Sequence, residues 1–160
     1  MFRKVSDMTK REKAIRIALI TLIVATLAFI FTQSALSPSA SGQESDAVAG
    51  FLSHIFSPDG FIITNLRQIA HFAEYGVLGV WISLYVCLFG IKTRALALIS
   101  LAVGQTVALI DETIQMFSGR VADIVDVWTD FLGFFILSLV TYLVFLAVIR
   151  FKRKKDEING

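Results

Sequence analysis

At 160 residues, with 56% hydrophobic and only 18% charged side chains, the chain is too apolar for an ordinary water-soluble domain. Its mean hydropathy of +0.72 indicates an integral membrane protein that folds as one helical unit. The net charge is only +2 and the basic residues flank apolar runs, so a nucleic-acid partner is not expected.

Four apolar runs are long enough to be membrane spans. They lie at about residues 17–35, 69–91, 95–110 and 124–149. The first run follows a basic segment and precedes small residues, so a cleaved signal peptide is a competing interpretation. We favour a retained span, because the run is long for a signal core and its loss would leave an odd number of spans.

The segment between the first two spans has two parts. Residues 32–46, TQSALSPSASGQESD, are rich in serine and alanine and contain Pro38, a composition that predicts an exposed loop. In residues 46–56 apolar side chains recur at helical spacing, which predicts a short amphipathic helix on the membrane surface. The predicted fold is therefore all-α: an integral membrane four-helix bundle with a short interfacial helix between the first and second spans, forming a single domain over residues 1–160.

The basic residues predict the orientation of the spans. Thirteen of the 15 Lys and Arg lie in residues 1–16, 92–94 and 150–155, on one side of a four-span arrangement. By the positive-inside rule, both termini and the 92–94 loop are cytoplasmic and the protein is multi-pass. Only Arg67 and Arg120 remain on the outer side.

Ionisable side chains gather near the outer ends of three spans. A charge facing hydrocarbon costs about 2.5–3.5 kcal/mol at a helix centre, so these groups should face protein or water. From a rise of about 1.5 Å per residue, Glu74, Asp111 and Asp130 lie at similar heights, roughly 25–30 Å above the cytoplasmic basic residues. His71 lies on the same helix face as Glu74, and Gln115 on that of Asp111 if the third helix continues. The sequence therefore predicts one shared polar site.

Several kinds of chemistry suit carboxylates gathered around an imidazole. They can bind a divalent cation, supply a general acid and base, carry a proton, or bind a cationic or hydrogen-bonding headgroup. No HExxH zinc motif, phosphate-binding glycine loop or GxSxG elbow occurs in the sequence. A divalent cation is therefore possible on these side chains, but no motif identifies it. Simpler explanations are that Asp123 caps the fourth helix, that Arg120 is a loop residue paired with an acid, and that Asp111 and Glu112 form an exposed helix end.

Two segments carry a resemblance to a known family. RQIAHFAEYGVLG, residues 67–79, and DETIQMFSGRVADIVDVWTDFLG, residues 111–133, resemble the VanZ-like proteins, which are small bacterial membrane proteins named for a teicoplanin-resistance accessory. The resemblance implies a four-span protein of the bacterial cell membrane associated with teicoplanin-type glycopeptide resistance. The family-typical polar positions correspond here to His71, Glu74, Tyr75, Asp111, Glu112, Gln115, Arg120, Asp123 and Asp126. Asp130 departs from the family pattern, because many members carry asparagine there.

We therefore expect action at the outer leaflet, on or near a cell-envelope lipid or lipid-linked precursor. The expected catalytic residues are His71, Glu74, Asp111, Glu112 and Asp126, and the expected substrate-binding residues are Tyr75, Gln115, Arg120, Asp123 and Asp130. In this interpretation Asp111, Glu112 and Asp126 form an acidic centre that can hold a cation, and Arg120 anchors a phosphate or carboxylate. Two alternatives stay open: a non-catalytic binder that masks an envelope component, and a small proton- or cation-coupled transporter. The oligomeric state also stays open.

Overall fold

The computed structural model describes residues 8–89, 93–121 and 123–159. Over these ranges the chain forms helices and no strand, which confirms the predicted all-α class. The helices are α1 (Lys10–Ser34), α2 (Pro38–Leu52), α3 (Phe61–Thr64), α4 (Leu66–Phe89), α5 (Thr93–Phe117) and α6 (Ile124–Asn159). The basic residues Arg3, Lys4 and Lys92, and the predicted end of the second span at residue 91, lie outside the described residues.

Three helices, α1, α4 and α6, are long and apolar enough to cross a membrane. Their outward-facing side chains are large and apolar, as Val24 at 60% exposure and Val148 at 60% illustrate. Such surfaces suit contact with lipid rather than water. The third predicted span, over residues 95–110, and the four-helix bundle stay predictions.

Helix α5 continues past the predicted end of the third span, through Asp111 to Phe117. The helix then ends in a Schellman motif, in which Gly119 has a φ of +82°. The Arg120 N–H donates to the carbonyl of Gln115 at 3.1 Å, and the Gly119 N–H donates to that of Met116 at 3.2 Å. This turn fixes the position of Arg120 just beyond the helix.

The loop predicted over residues 32–46 is wrong for most of its length, because α1 extends to Ser34 and α2 starts at Pro38. The Ser37 side chain caps α2 by accepting a hydrogen bond from the Ala40 N–H at 3.4 Å. Proline at the first helical position already has the φ that a helix requires, so the segment SPSA starts a helix rather than a loop. α2 ends at Leu52, before the end of the predicted interfacial helix at residue 56. The position of α2 at a membrane surface stays a prediction.

The beginning of α1 and the end of α6 also extend past the apolar runs of the sequence. α1 begins at Lys10 with a capping box between Thr9 and Glu12, seven residues ahead of the predicted span. α6 continues beyond residue 149 through the basic segment RFKRKK to Asn159, because lysine and arginine are good helix formers.

The contact between α4 and α6 is the most extensive in the fold and depends on small residues. A Cβ atom added to Gly133 would meet the carbonyl oxygen of Phe72, and one added to Gly79 would meet that of Phe134. α5 packs against α6, and α1 packs against both α4 and α5. The close approach at Gly133 brings the beginning of α4 next to the beginning of α6, where the polar residues lie.

Candidate functional site

Buried polar side chains lie together where α1 and α5 end and α4 and α6 begin. Their exposed fractions are 0% for Asp111, Gln115 and Asp130, 2% for Asp126, 3% for Ser34 and 5% for Glu112. Each must find a partner inside the protein, because a buried polar group without one is costly. The interior at this end is therefore polar, whereas the outer surfaces of the spans are apolar.

Asp111 is held from two helices by neutral donors. The hydroxyl of Ser34, at the end of α1, donates to its Oδ1 atom, and Gln115, one turn later on α5, donates to its Oδ2 atom at 3.0 Å. The Ser118 hydroxyl donates in turn to the carbonyl of Ser34 at 3.1 Å. These bonds join the last turn of α1 to the last turn of α5.

Arg67 binds two of the buried groups at once. Its Nη2 atom lies 2.8 Å from Oδ2 of Asp126 and donates to Oε1 of Gln115 at 3.1 Å. The Arg67 side chain is 42% exposed, so it connects the buried cluster to the outside. The sequence prediction did not include Arg67 in the site. Two signals pointed to it: it is one of only two basic residues on the predicted outer side, and it opens the segment RQIAHFAEYGVLG.

His71 and Asp130 form a second link between α4 and α6. The Nδ1 atom of His71 lies 2.9 Å from Oδ1 of Asp130, and the side chains are 12% and 0% exposed. Asp130 Oδ2 has no hydrogen-bond partner among the described residues. One ligand atom each from His71, Asp130 and Asp111 lie within 4.8 Å of one another. This arrangement has the donor types and spacing to hold a metal ion.

Glu112 and Asp123 connect α5 to the start of α6. Glu112 accepts a hydrogen bond through Oε2 from the Asp123 N–H at 3.0 Å. Asp123 accepts one through Oδ1 from the Val125 N–H at 2.8 Å, and its carbonyl accepts from the Val127 N–H at 3.3 Å. Asp123 therefore occupies the N-cap position of α6. Helix capping is the simpler of the two roles that the sequence suggested for this residue, the other being substrate binding.

A cavity of about 290 Å³ opens beside the buried cluster. Its wall is shared by α1, α2 and α4 together with Arg120, and its ionisable side chains are Arg67, His71, Glu74, Arg120 and the exposed Glu44. Burial, and after it the positive charge of Arg67, lowers the pKa of Arg120. Apolar side chains such as Phe29, Val48 and Leu66 complete the wall.

A second cavity of about 600 Å³ lies beyond Arg67 and Arg120 and is bordered by Asp123 and Asp126. The two arginines line both cavities. They are therefore the cationic groups most available to a ligand in this part of the chain.

The structure divides the predicted site residues into three groups. His71, Glu74 and Arg120 line the smaller cavity. Tyr75, Asp111, Glu112, Gln115, Asp126 and Asp130 are buried in the cluster behind it. Asp123 is exposed at the helix cap. The predicted catalytic and binding roles of all these residues stay predictions.

Three apolar spans around a buried polar cluster define a helical membrane protein with a site at one end of its helices. The chain matches the VanZ/LLP1 family over residues 16–147 and belongs to that family, as the resemblance implied. The matched range includes every residue of the cluster and of the smaller cavity. Neither the curated proteins nor the solved structures include a significant match.

Proposed function

We propose that this VanZ-family protein acts at the outer leaflet of the bacterial cell membrane on an envelope lipid or lipid-linked precursor. The observation that carries the proposal is the cavity of about 290 Å³, which sets two guanidinium groups, an imidazole and the carboxylates of Glu44 and Glu74 beside apolar side chains. Its two arginines suit an anionic headgroup and its apolar side chains suit lipid tails, so an amphiphilic ligand matches the wall. The family's association with teicoplanin resistance supports an envelope substrate.

The proposed topology is multi-pass, with α1, α4, α5 and α6 as the spans and both termini in the cytoplasm. The positive-inside rule supports this orientation, because Arg67 and Arg120 are the only basic residues at the opposite end of the spans. The cavity then faces the outer leaflet, where lipid-linked wall precursors are used.

The two arginines would bind the headgroup. A guanidinium offers a planar fork of donors that matches a phosphate or carboxylate. The bonds of Arg67 to Asp126 and Gln115 fix its position before a ligand arrives, which reduces the entropy lost on binding. In this proposal Asp126 is a positioning residue, because it reaches the cavity through Arg67 and does not line it.

His71 would transfer a proton if the bound lipid reacts. It lines the cavity, and the buried carboxylate of Asp130 orients its ring and stabilises its protonated form. Glu74 lies on the same wall, one helical turn along α4, and can serve as the second acid or base. The predicted acidic centre of Asp111, Glu112 and Asp126 lies behind this wall, where it supports the fold of the site.

The test is teicoplanin susceptibility of a sensitive Gram-positive host that expresses the wild-type protein or a variant at equal membrane abundance. Arg120→Ala removes a cavity guanidinium, and Arg153→Ala, in the exposed tail of α6, is the matched control. We expect wild type and Arg153→Ala to protect the host and Arg120→Ala to lose protection. Protection by Arg120→Ala would contradict the headgroup site, and no protection by wild type would contradict the link to glycopeptide resistance.

A second experiment separates turnover from masking. His71→Gln keeps a hydrogen-bonding side chain in the cavity but cannot carry a proton. If the variant still co-purifies with the lipid that mass spectrometry finds on wild type, yet gives no protection, the protein is catalytic. If binding and protection decline together in graded fashion across Arg120→Lys and Arg120→Ala, and His71→Gln retains both, the non-catalytic binder is correct.

A further inference from the structure

We propose that His71, Asp111 and Asp130 form a binding site for one divalent transition-metal ion, Zn²⁺ or Mn²⁺. The three side chains come from three different helices, α4, α5 and α6. Binding of the ion does not depend on the identity of the lipid. It would replace the proton-transfer role given to His71 above, because a metal-bound imidazole nitrogen cannot carry that proton, and it leaves the headgroup role of Arg67 and Arg120 unchanged.

The geometry already approaches that of a metal site. One ligand atom from each of the three residues lies within 4.8 Å of the other two. Ligands spread around one zinc ion, each at about 2.0–2.2 Å from the metal, are separated by about 3.3–3.8 Å. Side-chain movements of up to about 1 Å would therefore bring all three atoms onto one ion.

An unpartnered atom supports the presence of a ligand. Asp130 Oδ2 makes no hydrogen bond in the described part of the chain, although the residue is 0% exposed. Leaving such a group without a partner costs about 1–3 kcal/mol, and more for a charged one. A cation bound to Asp130 would satisfy the carboxylate, and the neighbouring Tyr75 hydroxyl could donate to a ligand oxygen or to a metal-bound water.

The charge balance points the same way. Asp111 receives its hydrogen bonds from the neutral side chains of Ser34 and Gln115, whereas the guanidinium of Arg67 pairs with Asp126. Buried carboxylates require a compensating positive charge or a proton. One divalent ion would compensate Asp111 and Asp130 together and leave His71 as a neutral ligand.

The surroundings of Asp111 are those of a metal ligand. Carboxylates that bind metal are themselves held by outer hydrogen bonds, and Ser34 and Gln115 supply them here. An imidazole beside two carboxylates favours Zn²⁺ or Mn²⁺ over Mg²⁺ and Ca²⁺, which prefer oxygen ligands throughout. Three protein ligands would leave a coordination position for water or substrate.

The test is equilibrium dialysis of the full-length protein, in detergent and without an affinity tag, against buffered Zn²⁺ or Mn²⁺ after chelator treatment. Bound metal is measured by mass spectrometry, with Mg²⁺ and Ca²⁺ as comparison ions. Asp130→Asn removes one ligand charge. Asp126→Asn is the matched control, because it makes the same change in a buried aspartate of α6 that is one turn away and paired with Arg67.

We expect one Zn²⁺ or Mn²⁺ per wild-type chain, equal stoichiometry in Asp126→Asn, and binding at least tenfold weaker in Asp130→Asn. Should Asp130→Asn not yield monodisperse protein, Asp111→Asn replaces it with the same expected loss. The proposal is overturned if wild type binds neither ion. It is equally overturned if Asp126→Asn and Asp130→Asn bind the ion with the same affinity, or if Mg²⁺ or Ca²⁺ binds to wild type as tightly as Zn²⁺ and Mn²⁺.

Discussion

Gly133→Ala tests whether close contact between α4 and α6 holds the site together. The added Cβ would meet the carbonyl oxygen of Phe72 and lie 2.9 Å from its Cα, where ordinary contact begins at 3.4 Å. Because the obstacle is backbone, the helices must separate by about 0.5 Å or more. Overpacking of this kind costs about 1–3 kcal/mol of unfolding free energy. The separation would also stretch the bond of 2.9 Å between His71, adjacent to Phe72, and Asp130, one turn before Gly133.

The assay is unfolding of the purified protein in mixed micelles titrated with a denaturing detergent, followed by far-ultraviolet circular dichroism. Gly50→Ala is the matched control, because a Cβ there has no atom within 4 Å. In a helix this change should stabilise by about 0.4–1 kcal/mol. A Gly133→Ala protein as stable as wild type would refute the reasoning, as would equal destabilisation by Gly50→Ala.

Three further variants address the cluster in the same unfolding assay. Ser34→Ala removes a donor from a buried carboxylate and should cost about 1–3 kcal/mol; a change below a few tenths would contradict the hydrogen bond. Asp123→Ala removes the N-cap of α6 and should cost about 0.5–2 kcal/mol, and Asp123→Ser should restore most of the loss; equal losses in both would argue against capping. Arg67→Ala removes the Nη2 atom that contacts both Asp126 and Gln115 and leaves a buried carboxylate without its cation, so we expect a loss of about 1–3 kcal/mol; unchanged stability would contradict both contacts.

The position of the site was predictable because it depends on local properties of the sequence. Helix rise sets the height of a residue along its span, and residue spacing sets the face on which it lies. Those two quantities placed Glu74, Asp111 and Asp130 at one level, with His71 on the face of Glu74, and the structure has ligand atoms of His71, Asp111 and Asp130 within 4.8 Å of one another. Because an ionised group is costly in hydrocarbon, these side chains are most stable when they point into the protein.

The partners of these residues were less predictable, because they come from distant parts of the chain. Ser34 meets Asp111 across 77 residues, and Arg67 meets Gln115 across 48. No periodicity or spacing within one helix determines which residue of another helix lies opposite, since that depends on packing. For the same reason, the sequence does not indicate which residues line the cavity. Nothing in it shows that His71 is part of the cavity wall and that Asp111 lies behind that wall.

Errors at helix ends had a different origin. Composition suggested a loop where Ser37 and Pro38 start α2, because serine is common in loops and at helix caps alike. The charge at Asp111 suggested the end of a span, but helix α5 ends only where Gly119 adopts a positive φ. A charged residue thus marks the edge of the apolar region rather than the end of the helix.

The polar interior also determines how variants of this protein will behave in a genetic screen. In lipid, apolar side chains gain little by moving from one apolar neighbour to another, so close packing and interhelical hydrogen bonds hold spans together. Here the bond of His71 to Asp130 joins α4 to α6, and that of Ser34 to Asp111 joins α1 to α5. Substitutions in the cluster will therefore lower the amount of protein in the membrane, whatever they do to its function. Selection for a more abundant protein will, for the same reason, keep the cluster intact.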